Sequence, residues 1–259
     1  FVSYERTHGY KYTSTSFDLS GFRNLLAALG NPQWSYRTIH IAGSDGKGSV
    51  AAMLTSVLRE AGFSIGLYTS PHLEDLRERI MVDGEPIPKR SLSHGVNEIK
   101  KKLDAYNTSR RGYATFFDLL TALAFLHFRR SSIDVAVVET GLGGRLDATN
   151  VLRPEATIIT HLSLEHTEQL GNTLESIASE KLAISHPEVP CIVGRQTAEI
   201  LPFIRNLLEK KHVPTVFVQK TYRVLREVPC DGRRAVHIEG GGRRRRIHLR
   251  LLGDRKSVV

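Results

Sequence analysis

The chain has 259 residues, 41% of them apolar and 24% charged, with a formal net charge of +9 and two cysteines. That apolar share is ordinary for a soluble globular protein, and the length can bury a useful core as one α/β domain, with or without an appendage. No apolar run reaches the roughly 18 residues that cross a bilayer, no basic-then-apolar leader opens the chain, and Cys191 and Cys230 form no C-x-x-C pair, which argues against membrane spans, a disulfide framework and a zinc site. A cytoplasmic, reducing setting is the expectation. Phe1 at the start and Ser257-Val258-Val259 at the end read as cut ends.

In chain order the first clear element is a β-branched strand, Thr38 to Ala42, running into Gly43-Ser44-Asp45-Gly46-Lys47-Gly48-Ser49. Glycines let a backbone fold around an oxyanion without Cβ clashes, so several N–H groups converge. The helix that follows adds a partial positive charge, Lys47 a full one, and Ser49 a hydroxyl for a magnesium ion. This is the pattern of a nucleotide-phosphate site, although Gly48 separates Lys47 from Ser49 where G-x-x-x-x-G-K-[ST] has none. A tight strand-to-helix connection would use the same glycines.

Val50, Met53, Leu54, Val57, Leu58 and Ala61 mark one face of the next helix, which Gly62 ends. Ser64 to Thr69 reads as a strand. Ser91 to Tyr106 reads as a charged helix with Leu92, Val96, Ile99 and Leu103 inward, and Thr115 to Phe128 as a buried helix. Ile133 to Glu139 and Ala156 to Thr160 are strands; Leu174 to Ile184 and Ala198 to Lys210 are helices. From Pro214 the texture changes to short strands, Thr215 to Gln219, Tyr222 to Arg226, Arg234 to Ile238 and Ile247 to Leu251, with turn signals at Asp231-Gly232 and Gly240 to Gly242. The predicted fold class is α/β: a phosphate-loop domain with a mostly parallel sheet flanked by helices over 1–213, a small antiparallel β appendage over 214–252, and the start of a linker over 253–259.

Ligands gather at the carboxyl ends of strands in open α/β sheets, which draws attention to three positions. Ser70 follows the second strand, where it also suits a helix N-cap before Pro71. Glu139 ends the Ile133 strand and either holds magnesium or pairs with Arg145. His166 follows the Ala156 strand, as does His161, and a lone histidine is more often structural than a ligand. Lys181 sits on an apolar helical face, where spacing alone describes a snorkelling lysine.

Together these stretches resemble the folylpolyglutamate synthase and dihydrofolate synthase family, within the wider Mur ligases. The matching segments are Ile39 to Ser49, Gly66 to Leu73, Glu78-Arg79-Ile80, Thr115 to Ala122, Val137 to Asn150 and Ser163 to Lys181, with Gly141 to Asn150 (Gly-Leu-Gly-Gly-Arg-Leu-Asp-Ala-Thr-Asn) the most specific. The resemblance implies a ligase that phosphorylates a folate or dihydropteroate carboxylate with ATP, then lets the amine of L-glutamate displace phosphate from the acyl phosphate. It assigns Gly43, Ser44, Asp45, Gly46, Lys47, Gly48 and Ser49 to ATP. Ser49, Ser70, Glu139 and His166 go to two Mg2+ ions, and Thr115, Phe117, Arg145 and Asp147 to the pterin or folate. It marks Lys47, Glu139, His166 and Lys181 as catalytic, with Lys181 at a position that is carbamylated in the family. Departures from the family pattern include Ser44-Asp45 for Thr-Asn, Leu76-Arg77 for Phe-Asn, Glu165 for aspartate, Leu182-Ala183 for Ala-Gly, and Gly253-Asp254-Arg255 where a Gly-x-His-Gln segment leads into the family's C-terminal domain. No counterpart of that domain's Asp-Gly-x-His-Asn segment occurs in the chain. Two other readings remain: a Mur-type ligase acting on a peptidoglycan precursor, and a non-catalytic nucleotide-binding module.

Much of the positive charge lies in Arg243-Arg244-Arg245-Arg246, with Arg233 and Arg234 nearby. No aromatic residues interleave with these arginines, so the tract reads as a solvated hairpin turn rather than a nucleic-acid surface. The expected partners are small molecules (folate or dihydropteroate, L-glutamate, ATP), with no nucleic acid, no membrane and a monomeric chain.

Overall fold

The computed structural model describes residues 19–104, 114–230 and 233–249. The helix end expected at Tyr106, the Asp231-Gly232 turn, the strand end at Leu251 and the linker over 253–259 lie outside them. Among the described residues eight strands form one sheet and three form another. In the large sheet β1 (Arg37–Ala42) lies between β5 (Val135–Glu139) and β6 (Ala156–Ile159), all parallel. β2 (Ile65–Tyr68) joins the outer side of β5, and β7 (Cys191–Val193) and β8 (Thr215–Phe217) continue beyond β6. Two short antiparallel strands, β3 (Ile80–Val82) and β4 (Glu85–Pro86), close the β2 edge. Between β3 and β4, Asp83 (φ 51°) and Gly84 (φ 88°) form a two-residue turn whose twist suits a hairpin.

Every residue of β5 is buried, which explains its unbroken apolar run: helices cover a parallel sheet on both faces. α1 (Leu19–Ala28), α3 (Lys89–Lys100) and α4 (Phe116–Arg130) cover one side through Phe22, Leu25, Ile99, Phe125 and Phe128. α2 (Lys47–Glu60) packs on Ile41, Ile65 and Val137. α6 (Leu174–Lys181) and α7 (Leu201–Lys210) cover the β6–β7 side. A one-turn helix, α5 (Thr167–Leu170), precedes α6, and another, α8 (Val218–Thr221), follows β8. The smaller sheet has the order β11 (Arg243–Leu249), β10 (Arg233–Gly240), β9 (Tyr222–Cys230) and is antiparallel throughout. Among the described residues no helix is long and apolar enough to cross a membrane.

The α/β class with a parallel sheet and a separate antiparallel sheet matches the sequence reading, with local corrections. Thr215–Phe217 is no part of the appendage; it pairs parallel with β7 as the edge of the large sheet. The four arginines do not form a turn. They open strand β11, and the turn before it is Gly241 (φ 59°) and Gly242 (φ 72°). Two residues expected inward face solvent: Val57 is 65% exposed and Val96 47%. The buried stripe of α2 centres on Ala51 and Thr55, and Val57 lies roughly 140° around the helix from it. In α3 the helix approaches α4 over Gly95, where a Cβ would sit 2.3 Å from Leu123, and this turns Val96 away. The helix expected to run through Ile184 ends at Lys181, followed by a 3-10 turn over Leu182–Ile184, and the one expected from Ala198 begins at Leu201.

Candidate active site

β1, β5 and β6 deliver their carboxyl ends to one edge, and the Gly43–Ser49 loop springs from the centre of it. Gly43 (φ 151°) lies so close to Thr160 that a Cβ would stand 1.8 Å from its Oγ1, so a side chain here would push the loop off the sheet. Gly46 (φ 81°) makes the left-handed turn from which α2 starts at Lys47. The loop is held from the β6 side: the Ser44 N–H donates to the His161 carbonyl (2.8 Å) and the Ser44 hydroxyl to the Ser163 carbonyl (3.1 Å). Asp45 accepts from the Ser163 hydroxyl at 3.0 Å, so this unusual acid is turned to the loop's neighbour. Lys47 folds back, its ammonium donating to the carbonyls of Gly43 (3.0 Å) and Ser44 (3.2 Å).

Glu139 faces the first turn of α2, where a Cβ on Gly48 would come within 3.6 Å of its Oε2. Burial pushes its carboxyl up to about 7; Lys47, the Ser70 N–H and Arg79 pull the other way. The Ser70 N–H donates to Oε2 at 3.3 Å, which brings Ser70 and Glu139 together. No helix opens at Ser70; the next element is a 3-10 turn over Leu76–Arg79, capped by Asp75. Arg145 is not the partner of Glu139, for its guanidinium pairs with Glu180 at 2.8 Å. Arg77 pairs with Asp75. Arg79, by contrast, is fully buried and donates through Nε to His72 Nδ1 at 2.9 Å. A buried guanidinium beside the Glu139 strand end carried no signal in the sequence beyond its place in Glu78-Arg79-Ile80.

Lys181 is not snorkelling. It is 2% exposed, its ammonium donates to the Gly43 carbonyl at 2.9 Å, and Glu165 Oε1 lies 2.7 Å away. Burial lowers the lysine's pKa and Glu165 opposes that fall; Glu165, for its part, is held below the usual carboxylate range by the two lysines despite burial. The Gly43 carbonyl therefore receives both Lys47 and Lys181.

The Gly141–Asn150 loop follows β5. Asp147 is buried and accepts from the N–H groups of Gly141 (2.9 Å), Leu142 (2.9 Å) and Thr149 (2.9 Å), and from the Thr149 hydroxyl. His40 Nε2 lies 2.8 Å from Thr149 Oγ1. With that hydroxyl committed to Asp147, His40 donates through Nε2, and its buried Nδ1 has no partner. Burial drops the His40 pKa to about 3. The sequence reading missed this β1-to-loop tie, for which Asp147 and Thr149 two residues apart are the only local signal. Thr115 caps α4 in a reciprocal pair with Asp118. Phe117 lies over Gly141, where a Cβ would meet the ring at 2.5 Å, and 5.8 Å from the Tyr68 ring.

A family model for the Mur ligase middle domain matches residues 41–254. The chain belongs to the Mur ligase family. This Mur ligase chain is 37% identical over 219 residues to the dihydrofolate synthase/folylpolyglutamate synthase of Bacillus subtilis, covering 83% of itself and 51% of the relative. It is 42% identical over 194 residues to the dihydrofolate synthetase of Saccharomyces cerevisiae, covering 73% and 44%. An FPGS–AMPPCP–folate complex superposes with a TM-score of 0.87 at 32% identity, covering 95% of this chain and 61% of that one. The chain thus spans about half the length of these two curated relatives.

The Mur ligase fold gathers some predicted residues and leaves others apart. Lys47, Gly48, Ser70 and Glu139 share one cluster, and Gly43, Lys47 and Lys181 another. His166 (φ 46°) starts α5 with an exposed side chain. Among the described residues no three His, Cys, Asp or Glu side chains converge as a metal cage. Magnesium, however, commonly takes one or two carboxylates and completes its shell with phosphates and water. Glu139 fits that role: it is a buried carboxylate aimed at the Gly43–Ser49 loop, and burial makes its bare charge costly.

Proposed function

We propose that this chain is the ATP-binding part of a Mg2+-dependent ligase that joins L-glutamate to a folate or dihydropteroate carboxylate through an acyl phosphate. The observation that carries the reading is the Gly43–Ser49 loop with Lys47 at the start of α2 and buried Glu139 facing it. The names and bound AMPPCP and folate of the matched proteins support it.

In this reading the loop N–H groups and the α2 N-terminus bind the ATP phosphates, and Lys47 leaves the Gly43 and Ser44 carbonyls to meet them. Ser49, Ser70 and Glu139 would hold Mg2+, which would neutralise charge as phosphoryl passes between two anions, and the exposed His166 would have to turn toward them to join. Phe117 offers a ring for the pterin, with Thr115 beside it and Arg145 at the loop rim. Asp147 acts by holding Gly141 and Leu142 in place, since its oxygens are engaged within the loop. Lys181 fixes the Gly43 carbonyl as a cation. Its carbamylation requires Glu165 to release it, and a carbamate signal on incubation with 13C-bicarbonate tests that step.

ADP formation from Mg-ATP decides the reaction. Release that requires both a pteroate or folate acceptor and L-glutamate supports the ligase; release independent of the acceptor, or supported by a sugar-nucleotide acid instead, overturns it.

A further inference from the structure

The carboxyl edge of the large sheet carries the site described above; the amino edge carries a second cleft, of about 570 Å³. Its walls are the 3-10 turn Pro32–Trp34, the starts of β1, β5 and β6, and Arg153 just ahead of β6. It therefore lies about 20 Å along β1 from Gly43. Small-molecule sites typically enclose roughly 300–1,000 Å³.

Three features of these walls are left over by the fold. Trp34 is 49% exposed, although the Arg153 guanidinium lies 4.3 Å from its ring centroid. Gln33 is only 3% exposed; its Nε2 donates to Asn31 Oδ1 at 3.4 Å, while its buried Oε1 has no hydrogen-bond partner among the described residues. A buried acceptor without a donor is costly, so a donor arriving at this wall is favoured. The third feature is the order of charges. β5, β1 and β6 are neighbours about 4.8 Å apart, and their starts bring Asp134, Arg37 and Glu155, alternating in sign, with Arg153 as a second cation. No ion pair joins these four among the described residues. Arg37 lies over the Phe63 ring at 5.5 Å, and Asp134 accepts the Ser64 N–H at 2.8 Å.

We propose that this cleft binds a free zwitterionic α-amino acid with an aromatic side chain. The ring stacks on Trp34, the carboxylate meets the guanidiniums of Arg37 and Arg153, and the ammonium donates to Glu155 and to Gln33 Oε1. A plain anion would face Asp134 and Glu155 uncompensated, and a plain cation would face the two arginines. A ligand that carries both signs on neighbouring atoms matches the alternation. The cleft is separate from the Gly43–Ser49 loop, and the proposal does not depend on the ligase reading.

Trp34 is the chain's one tryptophan, so its emission reports on this cleft. The test is titration of the intact protein with L-phenylalanine, followed by Trp34 fluorescence and by calorimetry. The proposal expects saturable binding that persists in saturating Mg-ATP. Binding should weaken roughly ten-fold for N-acetyl-L-phenylalanine and L-phenylalaninamide, each of which lacks one charge. Arg37 and Glu155 are exposed, so R37M and E155Q are expected to fold, and each should weaken binding roughly five-fold. Absence of both an emission change and heat would overturn the proposal, as would equal binding of either blocked form or unchanged affinity in both variants. Loss of binding in Mg-ATP would place the amino acid at the loop instead and overturn it too. So would tighter binding of AMP, which offers a ring, an N–H donor and an anion without an ammonium.

Discussion

The carboxyl edge of the parallel sheet and the arginine sheet use the same kinds of side chain in opposite ways. At the edge, Lys181, Glu139, Asp147 and His40 are buried and each is fixed by geometry: an ammonium on Gly43, a carboxylate against Gly48, a carboxylate across a loop, an imidazole on Thr149. In the arginine sheet the charges stand in solvent, and single ion pairs such as Arg244–Glu239 cross between strands. Charge taken out of water is strongly coupled to fold and to proton affinity, whereas charge left in water shapes a field and contributes little to stability. One region fixes its charges by contacts inside the fold, the other leaves most of its charges in solvent.

Substitutions at the two regions measure that contrast. E165A leaves the Lys181 ammonium buried without its carboxylate, and the expected loss is about 3 kcal/mol in urea unfolding. D147A strands three backbone N–H donors in the Gly141 loop and should cost on the order of 2–3 kcal/mol, with proteolytic nicking of that loop as a second readout.

Titration sharpens the contrast. His40 has a folded pKa of about 3 against an ordinary value of 6.5, so the unfolded chain binds the extra proton between those limits. Its neutral burial is free of penalty above pH 6.5, and stability falls as pH drops through the window toward 3. By pH 5 the loss is about 2 kcal/mol, which H40Q should remove because the amide donates to Thr149 without titrating. Equal acid sensitivity of H40Q and the parent would show that the β1-to-loop tie does not control the acid limb. Smaller effects come next: T115A loses the α4 cap and about 1 kcal/mol, seen in the unfolding midpoint. R244A should change stability by less than about 0.5 kcal/mol, and a larger loss would mean that the exposed pair with Glu239 shapes the sheet.

What the sequence disclosed follows the same division. β1, β5, the Gly43–Ser49 turn and α4 were legible because their signals are local: β-branched runs, glycines at turns, a long apolar helical run. The Lys181–Glu165 pair and the His40–Thr149 contact were not, since each joins different elements that only the fold brings together, across 109 positions in the second case. A three-residue edge strand such as β8 has no periodicity to read, and its membership is set by β7 beside it. The arginine tract misled for a related reason. Four cations in a row have a turn's composition, yet β10 offers Val236 and Ile238 opposite Ile247 and Arg245, and pairing overrides composition.

The most direct test of the central claim is calorimetric binding of ATP, with and without Mg2+, to the parent protein and to K47A. The account predicts one Mg2+-dependent site in the parent and a loss on the order of 10²-fold in K47A. Equal affinity in the two proteins would contradict it, because the Gly43–Ser49 loop would then not be where the nucleotide sits.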